Sequence, residues 1–213
     1  MPEAAQPRLK LYHATPSRSS VAMWMLEEIG EPYEVKLLSL KDGDQRKPEY
    51  LAINPMGKVP TLDDGGTIVS EVSAICCYLA DAYPKAGLAP PIGDKLRGPY
   101  LKWLFYAPSC IEPAMIDKAL SRPPAPRTMA GWADYDTVIA TLREATAKAS
   151  PHLLGERFSA ADVVIGSSLR WGMQFKLLPE LPEFVAYTQR LAARPALQRQ
   201  ISNDEAFARQ MRG

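Results

Sequence analysis

Over residues 9–84 the apolar positions switch repeatedly between a period of two and a helical period. Leu9, Leu11 and Ala14, with Tyr12 among them, read as a short strand. Residues 21–29 are mostly apolar at helical spacing, and Gly30 stands where a left-handed C-terminal residue would close that helix. Tyr33, Val35 and Leu37 alternate as a second strand. The run Thr61-Leu62-Asp63-Asp64-Gly65-Gly66-Thr67-Ile68-Val69 predicts two short strands about a DDGG turn, an antiparallel hairpin. Ala74, Ile75, Tyr78, Leu79 and Ala82 then give a helical stripe. The order β-α-β-loop-β-β-α demands a mixed sheet. The first βαβ unit needs a right-handed parallel crossover, and the hairpin adds antiparallel strands.

From residue 94 onward the pattern is helical throughout. Leu96, Tyr100, Trp103/Leu104 and Ala107 keep i, i+4 spacing, and Pro108 and Pro113 predict a kink after that stripe. Ser121-Arg122-Pro123-Pro124-Ala125-Pro126 reads as a loop, and Trp132, Tyr135, Val138/Ile139 and Leu142 as the next helix. Ser159-Ala160-Ala161-Asp162 resembles a capping box, with Asp in place of Glu, ahead of an apolar helix to about Phe175. Pro182 and Pro195 sit where first-turn prolines open two shorter helices. Residues 84–93 are dense in helix-breaking Pro and Gly and lead into a capping Asp94. The fold class expected is therefore α/β plus all-α: a domain over 8–84 with a mixed four-stranded sheet, and a helical bundle domain over 94–213.

Composition narrows the function classes. The 213 residues are 46% apolar and 23% charged, a globular balance, and the formal net charge is only +1. That charge gives no electrostatic footprint for nucleic acid or for an anionic membrane surface. Its distribution is uneven, with 8 Lys+Arg against 12 Asp+Glu in residues 1–84 and 17 against 12 in residues 85–213. No apolar run approaches the roughly 20 residues of a membrane helix, and the start MPEAAQPRLK lacks the basic-then-apolar order of a secretory signal. Three cysteines, Cys76, Cys77 and Cys110, are odd in number and give no disulfide framework, so a cytoplasmic, reduced protein is expected. His13 and His152 are too few and too far apart to suggest a metal site.

The segment Asn54-Pro55-Met56-Gly57-Lys58-Val59-Pro60-Thr61-Leu62 carries the most chemistry. It places Val-Pro at the mouth of a strand, where an interior proline would remove a ladder donor. A cis Val59–Pro60 bond resolves the conflict with a tight turn that leaves the Val59 amide groups facing outward for an extended peptide ligand. An ordinary proline-initiated edge strand is the plainer alternative.

LYHATPSRSSVAMWMLEEIGEPYE, PEYLAINPMGKVPTL and DGGTIVSEVSAICCYLADAYP together resemble the thioredoxin-like half of a soluble glutathione S-transferase, over residues 9–84. The helical half, with Ser159 and Asp162, fits that family's second domain, and the pattern is similar to the bacterial-like, serine-type subgroup. The resemblance implies a thioredoxin-like fold, glutathione as co-substrate, an acceptor site for a small hydrophobic electrophile between the domains, and a homodimer. It implies conjugation of the glutathione thiolate to electrophiles, in a detoxification role, with peroxide reduction, cis–trans isomerisation and reductive dehalogenation open on the same site. A non-catalytic glutathione-transferase-like binding or assembly module is the competing class.

Within that resemblance, Ser17 and Ser19 are the candidate catalytic residues. The thiolate is the nucleophile, and a hydroxyl donor together with the positive end of a helix favours it. Ser19 falls where beta-type relatives carry cysteine, whereas an SRS pattern favours Ser17; Ser20 and Tyr12 are further candidates, and each serine also serves as a helix cap. Glu71 is matched to the γ-glutamyl amine, and the N–H groups from Val72 onward to its carboxylate; Val72 departs from the serine of relatives. Gln45, Arg46 and Lys58 are matched to the glycyl carboxylate, and Val59 and Pro60 to the peptide backbone. Tyr100, Trp103 and Tyr106 are the acceptor-binding candidates, on a helix where aromatic residues at that spacing equally make core. Asp162 matches a buried capping aspartate. Cys76 and Cys77, mid-helix among apolar residues, are expected to be buried and inert.

Overall fold

A computed structural model of the chain describes residues 7–123 and 125–211, so Pro124 of the expected loop and the first six residues lie outside the described residues. Strand β1 (Leu9–His13) buries alternate side chains, Leu9, Leu11 and His13, and ends one residue before Ala14. Helix α1 (Ser19–Ile29) begins two residues ahead of its apolar run and is closed by Gly30 at φ 77°, whose N–H donates to Leu26 O at 3.0 Å. A side chain there would meet the left-handed penalty that glycine escapes.

Strand β2 (Tyr33–Leu37) pairs parallel with β1, Leu9 opposite Tyr33. Strands β3 (Thr61–Asp64) and β4 (Thr67–Ser70) form the expected hairpin, with Asp63 Oδ1 accepting the Gly66 N–H at 2.7 Å across the turn. β3 runs antiparallel to β1, Leu11 opposite Leu62, giving the mixed sheet order β2-β1-β3-β4. The short helix α2 (Pro48–Leu51) precedes the hairpin and α3 (Val72–Ala82) follows it. Leu11, Leu26, Leu62, Ile75 and Leu79 have no accessible surface, and each contributes about 1.5–3 kcal/mol by leaving water.

The chain divides into two compact units, the second being Gly87–Arg194. The first of these breaks falls inside the expected 84–93 linker. The second was not anticipated: helix α9 (Pro195–Gln210) groups with the sheet unit rather than with residues 94–194. Its polar residues explain the assignment. Arg199 Nε and Nη2 donate to Glu27 Oε2 and to Glu27 O at 2.7 and 2.9 Å, and Asn203 Nδ2 donates to Glu27 Oε1 at 3.0 Å. Pro195 thus opens a helix of 16 residues, not a short one.

In the second unit α4 (Arg97–Tyr106) runs into a π-helical turn over Ala107–Ile111 and then α5 (Glu112–Ala119). Pro108, which has no N–H to give the α-ladder, lies in that turn; the expected kink takes this form. Helix α6 (Tyr135–Lys148) starts after Trp132, because Asp134 caps it by accepting the Thr137 N–H at 2.9 Å. Trp132 instead donates its indole N–H to Asp117 Oδ2 at 3.1 Å. Helices α7 (Ala160–Gln174) and α8 (Pro182–Ala192) complete the unit. The Ser159–Asp162 capping box is present at the start of α7, and Asp162 is fully buried. Among the described residues no helix is long and apolar enough to cross a membrane.

Candidate glutathione site

The end of β1 and the start of α1 bring three serines together. Ser17 is half-buried; its hydroxyl donates to Ala14 O at 2.6 Å and accepts the Ser19 N–H at 3.1 Å. It therefore caps the helix start while keeping part of its surface open. Ser19 is fully buried, 2.6 Å from Ser17 Oγ, 2.7 Å from His13 Nδ1 and 3.0 Å from Ala14 O, and accepts the Ala14 N–H at 3.1 Å. Ser20 donates to Asp204 Oδ2. Tyr12 is half-buried with its ring 5.6 Å from that of Tyr50. Of the two serine candidates, Ser17 is the one with accessible surface.

His13, weighed in the sequence only as a metal ligand, and Asp204, which carries no expectation there, also belong to this cluster. His13 has no accessible surface, and its Nε2 lies 2.8 Å from Asp204 Oδ1 on α9. The Phe207 ring covers it at 5.7 Å. A histidine at the third inward position of an alternating strand was a signal that could have been read. Its partner could not, because Asp204 stands near the other end of the chain.

The Val59–Pro60 bond is cis, as the strand-mouth argument required. Val59 is half-buried, Lys58 exposed and Pro60 buried. A buried cluster holds this turn from behind: Tyr50 OH and Asn54 Nδ2 donate to Lys58 O at 2.5 and 3.0 Å, and both meet Thr61 Oγ1, at 2.8 and 3.0 Å. Burial of the Tyr50 hydroxyl pushes its pKa up, which keeps it a donor. Tyr50 and Thr61 carry no site role in the sequence pattern, yet they set the position of the Lys58–Val59 backbone.

Gly57 joins two parts of the site. At φ +60° its absent side chain lets Gln45 O approach, and an added Cβ would stand 2.9 Å from that oxygen and 3.3 Å from Leu51 Cδ2. Gln45 and Arg46 are thereby brought beside the Lys58–Val59 turn. Gln45 is half-buried and Arg46 exposed. The loop is tied down by Asp44, whose Oδ1 lies 2.6 Å from Lys47 Nζ and whose Oδ2 accepts the Ser39 N–H at 2.8 Å; the Lys47 hydrogen bond, with that backbone N–H, holds the Asp44 carboxyl below its ordinary pKa. Gly57→Ala combines a left-handed alanine with a backbone clash, for a cost of about 2 kcal/mol. Its urea midpoint and its glutathione affinity by titration calorimetry are both expected to fall. Wild-type values of both would refute the close-approach argument.

Glu71 is exposed and stands immediately before α3 at φ 69°, ψ 122°, an uncommon conformation for a residue with a side chain. Its carbonyl accepts the Ile75 N–H at 2.9 Å, so the backbone starts the helix while the carboxylate remains in solvent. Val72 is half-buried as the first residue of α3, and Ser73 behind it is buried.

In the second unit Trp103 and Tyr106 are half-buried and stack edge-on at 5.4 Å, with Lys102 Nζ 4.2 Å from the Trp103 ring centre. Burial raises the Tyr106 hydroxyl pKa. Tyr100 has no accessible surface and sits as a core residue, with the Arg97 guanidinium 5.1 Å from its ring centre. A shallow depression of about 510 Å³ lined by Tyr135, Met173, Lys176, Leu178, Pro179 and Glu180 shares no residue with these. Cys76 is buried, and burial raises its thiol pKa far above the ordinary value; Cys77 and Cys110 are only half-buried, so the expectation of burial holds for Cys76 and not for Cys77. No group of three or more His, Cys, Asp or Glu suited to a metal ion occurs among the described residues.

Comparison with known proteins turns this geometry into a family assignment. Residues 17–82 match the family described as "Glutathione S-transferase, N-terminal domain", and residues 136–195 match "Glutathione S-transferase, C-terminal domain". The glutathione S-transferase GstA of Escherichia coli O157:H7 is 31% identical over 91% of this chain and 98% of its own length. The chain belongs to the glutathione S-transferase family. Its enzyme class is accordingly that of a glutathione transferase. Among solved structures, a glutathione transferase from Methylococcus capsulatus superposes with a TM-score of 0.76 at 28% identity, covering 93% of this chain and 99% of its own. A theta class glutathione S-transferase from Xanthomonas axonopodis pv. citri, solved with glutathione bound, gives a TM-score of 0.72 at 28% identity over 92% and 97% of the two chains. The transferase fold thus accounts for both halves of the chain, including the mixed sheet and the capped α7.

Proposed function

We propose that this transferase is of the serine type, with Ser17 as its catalytic residue. The carrying observation is access: Ser17 is half-buried at the α1 start, whereas Ser19 has no accessible surface. Glutathione is seated as an added strand on the Val59 backbone beside Pro60. Gln45, Arg46 and Lys58 supply the donors for its glycyl carboxylate. Glu71 takes the γ-glutamyl ammonium, and the N–H groups from Val72 onward take the neighbouring carboxylate.

Ser17 then turns its hydroxyl from Ala14 O to donate a hydrogen bond to the sulfur, and with the α1 N-terminus this favours the thiolate over the thiol. The thiolate attacks an electrophilic carbon of a small hydrophobic acceptor. A C–S bond forms, and the leaving group departs with its electron pair. Holding the two reactants together supplies much of the rate. Trp103 and Tyr106 are assigned to the acceptor; the burial of Tyr100 supports a core role for it instead. A homodimer working in the cytoplasm in detoxification, with peroxides as further acceptors, completes the reading.

The test is a conjugation assay with an aryl halide after recovery on a glutathione resin. Ser17→Ala is expected to bind the resin yet lose about tenfold in kcat, the worth of one hydrogen bond to a charged atom. An active wild type whose Ser17→Ala variant keeps full kcat would refute the assignment.

A further inference from the structure

We propose that Ser17, Ser19 and His13 form a proton relay, backed by the Asp204 carboxylate, and that this relay takes the proton of the glutathione thiol onto the His13 ring. The proposal rests on Ser17 meeting the sulfur, as read above. The four side chains succeed one another without a gap: Ser17 Oγ to Ser19 Oγ at 2.6 Å, Ser19 Oγ to His13 Nδ1 at 2.7 Å, and His13 Nε2 to Asp204 Oδ1 at 2.8 Å. Only its outer end is open. Ser17 is half-buried, while Ser19 and His13 have no accessible surface.

The inner end sets the polarity of the relay. Ser20 and the Gln200 side-chain amide both donate to Asp204 Oδ2, the latter at 2.6 Å, which sets this carboxylate as an acceptor. Its negative charge beside Nε2 draws the ring proton of a neutral His13 to that nitrogen. The pair is close without the alignment of a hydrogen bond, so Asp204 acts on the ring through charge. Nδ1 is then an acceptor, and the nearest donor is the Ser19 hydroxyl. With its own proton so committed, Ser19 Oγ accepts, and it already accepts the Ala14 N–H at 3.1 Å. The Ser17 hydroxyl is 2.6 Å away, held at the same distance from Ala14 O. When the Ser17 hydroxyl turns from Ala14 O to Ser19 Oγ, every link runs inward, from Ser17 to His13.

A bound thiol completes the sequence. Its S–H bond breaks as the proton passes to Ser17 Oγ, the Ser17 proton moves to Ser19 Oγ, and the Ser19 proton moves to His13 Nδ1. The S–H electron pair stays on sulfur. The products are a thiolate and an imidazolium beside the Asp204 carboxylate, so protons and charge balance. Ser17, again carrying one proton, donates to the thiolate. After attack on the acceptor the proton returns by the same hydroxyls to the departing anion. His13 and Asp204 are thus positioning residues, acting on the sulfur only through Ser17, in the manner of a base and its carboxylate partner behind a hydroxyl. Helix α9, which the sequence assigns to the helical domain, supplies the last member.

The experiment titrates bound glutathione by its ultraviolet thiolate band and measures kcat/KM in wild type, Ser17→Ala, Ser19→Ala, His13→Gln, Asp204→Asn and the double variant Ser17→Ala/Asp204→Asn. Arg199→Ala, which loosens α9 from Glu27 without touching the relay, is the control. Asp204→Asn is expected to raise the apparent pKa of the bound thiol by about one unit and to lower kcat/KM about tenfold, while glutathione affinity changes less than about twofold. The double variant should be no worse than Ser17→Ala alone, since members of one relay do not add. Arg199→Ala should titrate as wild type.

Should the enclosed His13→Gln fail to fold, Asp204→Asn and Ser19→Ala carry the result. A wild-type titration in folded Asp204→Asn, with a shift in Ser17→Ala, overturns the relay and leaves Ser17 as the catalytic residue. A wild-type titration in Ser17→Ala overturns both. A shift in Arg199→Ala as large as that in Asp204→Asn assigns the effect to helix docking and overturns the relay.

Discussion

Asp162→Ala is expected to cost the second unit about 3–5 kcal/mol, the sum of leaving several donors without their acceptor at about 1–3 kcal/mol each. Four donors converge on this carboxylate. Oδ1 accepts the Leu153 N–H at 2.9 Å and the Tyr187 hydroxyl at 2.8 Å, and Oδ2 accepts the Ser159 N–H at 3.0 Å and the Ser159 hydroxyl at 3.1 Å. Burial alone pushes the carboxyl pKa up, and these hydrogen bonds pull against it. Alanine would leave the buried Ser159 N–H, the partly buried Leu153 N–H and the Tyr187 hydroxyl without this acceptor, at about 1–3 kcal/mol for each that water does not reach. Tyr187→Phe removes one bond and one donor together, so about 1.5–3 kcal/mol is its upper range. Three of the four tryptophans, Trp103, Trp132 and Trp171, lie in this unit, so the urea midpoint by fluorescence reads it directly. A loss below about 1 kcal/mol in Asp162→Ala, the value of one ordinary hydrogen bond, would show that the capping box is not what holds α7.

The parts of this molecule that were legible in its sequence are those fixed by near neighbours along the chain. Alternation located β1, β2 and the hairpin; Gly30 stopped α1; and the Val-Pro dipeptide at a strand mouth announced the turn that carries Val59. The capping box at Ser159 is local too, three residues end to end. What was missed depends on distant partners or on a competing local bond. Trp132 looked helical by spacing, but Asp134 is the better cap and starts α6 after it. Tyr100 fits an aromatic acceptor stripe by period, and period alone does not say which side of α4 is covered. Ser17 and Ser19 were equivalent as hydroxyls near a helix start; only the fold encloses one and leaves the other partly open. Helix α9 was assigned to the helical domain because helices follow helices there, whereas Glu27 and His13, near the start of the chain, are what hold it.

Replacing Glu71 by glycine is expected to separate binding from stability in opposite directions. Glu71 holds φ 69°, which costs a residue with a side chain about 1–3 kcal/mol and glycine almost nothing. Against that gain stand about 0.4–1 kcal/mol from the freer unfolded glycine chain and about 0.3–1 kcal/mol from the lost negative charge at the α3 start. At the middle of these ranges the fold of Glu71→Gly is more stable than wild type by about 0.7 kcal/mol. Glutathione affinity should fall about thirtyfold, because the proposed ammonium pairing is a charge-assisted hydrogen bond worth about 1.5–3 kcal/mol. Glu71→Gln separates the two causes. It keeps the strained backbone and nearly the same shape and loses only the charge, so it should bind about tenfold more weakly and lose only about 0.3–1 kcal/mol of stability, the amount that the charge gives the α3 start. Titration calorimetry with glutathione and urea unfolding of both variants check this. A glycine variant that is clearly less stable would mean that the conformation is held by the glutamate side chain itself. Unchanged affinity in both variants would mean that the carboxylate is not the ammonium's partner. That pattern, a strained residue kept at a stability cost because its charge is needed there, would assign Glu71 to the ligand rather than to the helix.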